Sequence, residues 1–216
     1  RLGPFGWFRH PNITSNSENA EDQSGNYGNL DTVQALEWVQ KNIGYFGGDA
    51  SNVTIFGESA GGYNVAALLS AKNAKGLFHK AIIQSGGIKP GDIHHSESYL
   101  EENLPWKNYS SRELVNQLIL NKGMATDRDS AKSLQEGMSH SEIEGLMRNA
   151  SSEEIFQAYL TTKINTNEML RPFPDGFVLR ELGVLGSLES GFNSDIPIMI
   201  GTNRDEMKLF LLDFLS

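Results

Sequence analysis

The sequence predicts an α/β fold with a central, mostly parallel sheet, helices on both faces and a helical cap inserted between two strands. Three observations predict it. Val53-Thr54-Ile55-Phe56 and Ala81-Ile82-Ile83-Gln84 are short β-branched or apolar runs, and the stretch between them has helical spacing. A third such run, Ile196-Pro197-Ile198-Met199-Ile200, comes late in the chain. Between about Gly91 and Gly191 no strand-like run interrupts, and the spacings Ser110-x-x-Glu113, Ser139-x-x-Glu142 and Ser151-x-x-Glu154 each open a helical pattern. Parallel strands joined by a helix require a crossover and a sheet covered on both faces.

In chain order, His10 to Gly28 is crowded with Asn, Ser, Glu, Asp and Gly and is expected as a polar surface loop. From Leu30, the residues Val33, Leu36, Val39 and Ile43 make one apolar helix face, with Asp31 in the first turn, where a carboxylate favours the positive helix end. Gly44, Gly47 and Gly48 break that pattern ahead of the first strand. After the turn at Gly57 to Gly62, Val65, Leu68 and Leu69 continue at helical spacing until Gly76. Gly201-Thr202-Asn203 closes the last strand, and a helix is expected from Lys208 to Leu215. Three blocks follow: a core over 1–90, a mainly helical cap over 91–190, and a return to the sheet over 191–216.

Composition limits the function. The chain has 216 residues, enough for one domain with an insertion. A net charge of −9 disfavours nucleic acid and anionic membrane surfaces, because phosphate binding needs clustered Lys and Arg. No apolar run reaches the roughly eighteen residues of a membrane span. With Cys 0 there is no disulfide, thiolate metal site or cysteine nucleophile, and the compartment is left open. Triplets at Asn12, Asn52, Asn108 and Asn149 match the glycosylation acceptor pattern, which a sequence rich in Asn, Ser and Thr also produces by chance.

The chemistry centres on Gly57-Glu58-Ser59-Ala60-Gly61, a G-x-S-x-G pattern placed directly after a strand and before a helix. A serine there occupies a tight, strained turn that lifts its hydroxyl above the sheet edge. Its neighbours must be small, as Gly57, Ala60, Gly61 and Gly62 are. The Ala60 N–H, at the mouth of the helix, is the expected oxyanion-hole donor. A serine nucleophile needs a histidine to take its proton and a carboxylate to orient that histidine. In α/β-hydrolases the order is Ser, acid, His. Asp205 and Glu206, just past the third strand, both qualify by position. All five histidines, His10, His79, His94, His95 and His140, precede them. His79 is read as packed or surface, and His94-His95 has no third ligand at a recognisable metal spacing. The base is therefore expected beyond residue 216 of a longer polypeptide. Arg1-Leu2-Gly3-Pro4, with neither initiator Met nor signal h-region, reads the same way.

Several blocks resemble the type-B carboxylesterase/lipase family, relatives of the cholinesterases. They are Gly25 to Asp31, Ala35 to Ile43, Phe46 to Asp49, Val53 to Gly62, Ile82 to Gly86, Pro174 to Gly176, and Gly201 to Glu206. The likeness covers most of residues 1–87 and returns in blocks, while Gly91 to Arg171 matches weakly. It implies an α/β-hydrolase fold and a carboxylic-ester hydrolase. Ser59 would be the nucleophile, and Glu206 rather than Asp205 the triad acid. Ser85 would stand behind that acid, and Glu58 would be a buried structural carboxylate. It implies a small-molecule ester substrate and no metal or organic cofactor. The missing partners are the rest of the parent polypeptide, with an upstream oxyanion turn and a downstream histidine. Met207 stands where the family usually has glycine, and Asn29 where it has an apolar residue. The competing readings are a cholinesterase-like binding or adhesion protein that has lost catalysis, and an inactive fragment.

Overall fold

A computed structural model describes residues 1–14, 18–102, 109–162, 170–206 and 208. The helices and strands run in the order α1 (Pro11–Thr14), α2 (Ala20–Ser24), α3 (Tyr27–Asn42), β1 (Thr54–Glu58), α4 (Ala60–Leu68), β2 (Lys80–Gln84), α5 (Ile93–Glu97) and α6 (Ser111–Asn121). They continue with α7 (Arg128–Gly137), α8 (His140–Arg148), α9 (Ser152–Thr162), α10 (Gly183–Glu189) and β3 (Ile198–Gly201). The helix expected over 208–215 lies outside the described residues apart from Lys208.

The chain divides into two compact units, Arg1–Leu30 with Gly91–Phe177, and Asp31–Pro90 with Val178–Ser216. This differs from the three sequence blocks, since residues 1–30 pack with the helical part.

In the second unit the three strands form a parallel sheet in the order β1-β2-β3. The register pairs Ile55 with Ala81 and Ala81 with Ile198, so side chains alternate in cross-strand rows. Ile55, Ala81 and Ile83 are buried, which marks the covered face, and α4 packs on β1 and β2. The opposite face carries the row Phe56, Ile82 and Met199, with Phe56 73% and Met199 68% exposed. His79 precedes β2, and its Nδ1 accepts the Val53 N–H at 3.1 Å.

The first unit is helical. In α6, Leu114 and Leu118 pack with Ala158 and Tyr159 of α9, while Val115 and Ile119 pack with Ala131 of α7 and Ile143 of α8. Adjacent i,i+4 stripes thus face different neighbours, so α6 is the central helix of the unit. The anticipated caps form with one variation. Ser139 with Glu142 and Ser151 with Glu154 bond reciprocally. Ser110 caps α6, but the Glu113 carboxylate turns instead to the Leu100 N–H at 2.9 Å and to Arg128 Nε at 3.0 Å.

The stretch His10 to Gly28 is not the surface loop its composition predicts. It contains α1, α2 and the start of α3, and His10 and Asn26 are fully buried. Their polar groups are met internally. Asn26 donates to the Phe173 carbonyl at 2.8 Å and accepts the Phe173 N–H at 3.2 Å. His10 Nδ1 accepts the Asn12 N–H at 3.2 Å, so Nε2 donates to Gln135 Oε1 at 2.9 Å. Burial lowers the His10 pKa to about 4, against the raising effect of the Gln135 bond. Asn29 is likewise buried, and its Oδ1 accepts the Trp7 indole N–H at 3.0 Å.

Candidate active site

Ser59 follows β1 directly and caps α4, with φ 51° and ψ −116°. This lies outside the wells open to a side-chain-bearing residue and stores about 1–3 kcal/mol of strain, so the flanks must enforce it. They do so through the backbone. The Ser59 N–H donates to the Gln84 carbonyl at 2.9 Å, extending the β1–β2 ladder, and its carbonyl accepts the Tyr63 N–H at 3.1 Å, opening α4. The Ser59 amide is therefore committed. The next N–H, that of Ala60, is the first of α4 and has no acceptor among the described residues.

Close backbone approach explains two of the four small residues. A Cβ on Gly57 would lie 2.4 Å from the Gly61 carbonyl, and one on Gly62 would lie 2.7 Å from Gly86 Cα. Gly61 itself has open space, so its smallness is not a steric demand here. Glu58 is exposed in this chain and not buried as the resemblance implied: it falls on the solvent side of the pleat at the end of β1.

The neighbouring strand ends the same way. Ser85 follows β2 with φ 49°, and its N–H donates to the Gly201 carbonyl of β3 at 2.8 Å. Its hydroxyl donates to Glu206 Oε2 at 2.7 Å, bringing together two residues 121 positions apart. The Asn203 N–H donates to the same oxygen at 2.9 Å. The Ser85 hydroxyl first, and then the Asn203 backbone, hold the Glu206 carboxyl below its ordinary range. Asp205 points to different partners. Its oxygens pair with Lys208 at 2.8 Å and Arg204 at 3.0 Å, and those two bonds hold its pKa down in turn. The family-like spacing Gly201-x-Asn203-x-x-Glu206 includes Asn203 but gives it no role of its own. The signal was present, since Asn203-x-x-Glu206 has the spacing read as helix caps elsewhere in the chain. Met207 lies outside the described residues.

The histidines are engaged elsewhere or sit on other elements: His10 with Gln135, His79 with Val53, His94 and His95 on α5, and His140 at the start of α8. Among the described residues no three His, Cys, Asp or Glu side chains group as a metal site, and no helix is long and apolar enough to cross a membrane.

A strained serine between a parallel strand and a helix, with a carboxylate at the end of the same sheet, defines the α/β-hydrolase class. Solved structures agree. A carboxylesterase of Geobacillus stearothermophilus superposes with a TM-score of 0.69 at 31% identity, over 99% of this chain and 37% of that one. A para-nitrobenzyl esterase gives 0.67 at 33%, over 97% and 38%. The family model described as the carboxylesterase family matches residues 1–216, and the chain belongs to that family. Among curated relatives, the para-nitrobenzyl esterase of Bacillus subtilis is 35% identical over 210 residues, which are 97% of this chain and 36% of the relative. The fumonisin B1 esterase of Sphingopyxis macrogoltabida is 32% identical over 97% of this chain and 33% of its own length. The chain thus spans about a third of the length of the curated relatives it matches.

Proposed function

We propose that the polypeptide containing this chain hydrolyses carboxylic esters of small molecules, with Ser59 as nucleophile. The observation that carries the reading is the backbone of Ser59, held at φ 51° between β1 and α4. In this mechanism Ser59 Oγ attacks the ester carbonyl as a histidine takes its proton. The Ala60 N–H, left over because the Ser59 amide is bonded to Gln84, donates to the tetrahedral oxyanion. Expulsion of the alcohol leaves an acyl-enzyme, which water cleaves by the same route. Glu206 orients the histidine, with Ser85 behind it. The two ion pairs on Asp205 support Glu206 as the acid. The histidine and a further oxyanion donor come from other segments of the parent polypeptide. This fits relatives about three times as long and histidines in this chain that are engaged elsewhere.

An organophosphonate probe tests the assignment in the full-length protein. Mass spectrometry is expected to place the adduct on Ser59, and Ser59→Ala is expected to abolish it. An adduct on another serine would overturn the nucleophile. No adduct at all, in a folded protein, would favour a binding protein that has lost catalysis.

A further inference from the structure

We propose that Asn203 is a positioning residue which, with Ser85, saturates one oxygen of Glu206 and reserves the other, Oε1, for the base. The inference rests on the reading of Glu206 as the triad acid.

The geometry is specific to one oxygen. Glu206 Oε2 receives the Ser85 hydroxyl at 2.7 Å and the Asn203 N–H at 2.9 Å. A carboxylate oxygen offers two lone pairs in the carboxyl plane, so two donors fill it. An imidazole N–H approaching Glu206 is left Oε1. The donors also fix each other. Asn203 Nδ2 lies 3.5 Å from Ser85 Oγ, a long contact that favours the hydroxyl accepting from Asn203 while it donates to Glu206. The Glu206 N–H closes the turn on the Asn203 carbonyl at 3.4 Å.

A carboxylate three residues on that returns to a backbone N–H is the second half of a capping box. In Ser139 to Glu142 such a box only starts a helix. Here the same device is joined by Ser85, whose position comes from the end of β2. The carboxylate is thereby tied to the strand beside the Ser59 strand, and not only to its own turn. A cap that served the turn alone would not need the third partner.

NMR on the full-length protein tests this without a substrate. With 13C-labelled glutamate, Glu206 is expected to titrate below the ordinary glutamate range. The Asn203 backbone amide shift is expected to follow the same curve, and Glu206→Gln is expected to abolish that dependence. Ser85→Ala is expected to move the Glu206 titration up toward the ordinary carboxylate range. Asn203→Ala, which keeps the backbone N–H, is expected to move it less. In the full-length enzyme Ser85→Ala should lower kcat about tenfold or more with KM little changed, as loss of one hydrogen bond to a charged carboxylate predicts. An Asn203 amide that does not titrate with Glu206, while Ser59 still takes the phosphonate, overturns the clamp alone. Coupled titration with no labelling of Ser59 overturns the esterase reading beneath it.

Discussion

Asp205 and Glu206 are neighbours in the chain, and their side chains go to different places. Asp205 meets Arg204 and Lys208 at the surface, while Glu206 turns back to Ser85 and Asn203. Glu206→Gln in the full-length protein is expected to lower turnover on one ester by about 10⁴, as the corresponding acid-to-amide change does in chymotrypsin-type proteases. Asp205→Asn should leave turnover nearly unchanged and cost little stability, because its ion pairs with Arg204 and Lys208 are exposed to solvent. Thermal unfolding of both variants separates misfolding from chemistry. Loss of activity in a folded Asp205→Asn protein, with Glu206→Gln active, would reverse the assignment. Loop position alone left these two carboxylates equal, and the family resemblance selected Glu206. The ion pairs that distinguish them depend on the turn through 203–206, which hydrophobic pattern does not encode. Ser59 was easier to read, because a glycine-rich turn between a strand and a helix leaves a local signature. The exposure of Glu58 was not, because it depends on what packs beyond β1.

At the scale of elements, α4 sits on its sheet by backbone-to-backbone contact. Gly62 and Gly86 face each other so closely that a Cβ on Gly86 would lie 2.6 Å from Gly62 Cα. Neither neighbour is a flexible side-chain end that can swing aside. Gly86→Ala is therefore expected to destabilise the chain by about 1–3 kcal/mol, the usual cost of overpacking, and to disturb the start of α4. Gly61→Ala, with open space around the added methyl, should unfold within about 0.5 kcal/mol of the parent. Denaturation of both variants checks the pair; equal losses would show that sequence distance from Ser59, not contact with Gly86, governs the effect. The strands and α4 were legible because apolar period and glycine punctuation agree there. Residues 10–28 misled for a physical reason. Composition counts polar side chains as solvent-seeking, yet His10, Asn26 and Asn29 are buried with partners as remote in sequence as Gln135 and Phe173. Nothing local announces such pairings.

Across the whole molecule, the parallel order and α/β class followed from the sequence, whereas the grouping of residues 1–30 with the helical unit did not. That grouping is made of long-range contacts from segments without a strong period of their own. The larger consequence comes from the row of Phe56, Ile82 and Met199. In water a strip of this kind behaves as a surfactant patch, and β1 and β3 border it as the outer strands of the three-stranded sheet. Residues 1–216 in isolation are expected to bind ANS and to scatter light increasingly with concentration. Phe56→Thr with Met199→Thr should reduce both, since threonine keeps a β-branched strand former while removing the apolar surface. Unchanged dye binding in that variant would place the sticky surface elsewhere. These three side chains thus set an upper limit on how crowded a solution of residues 1–216 alone can become before it turns cloudy.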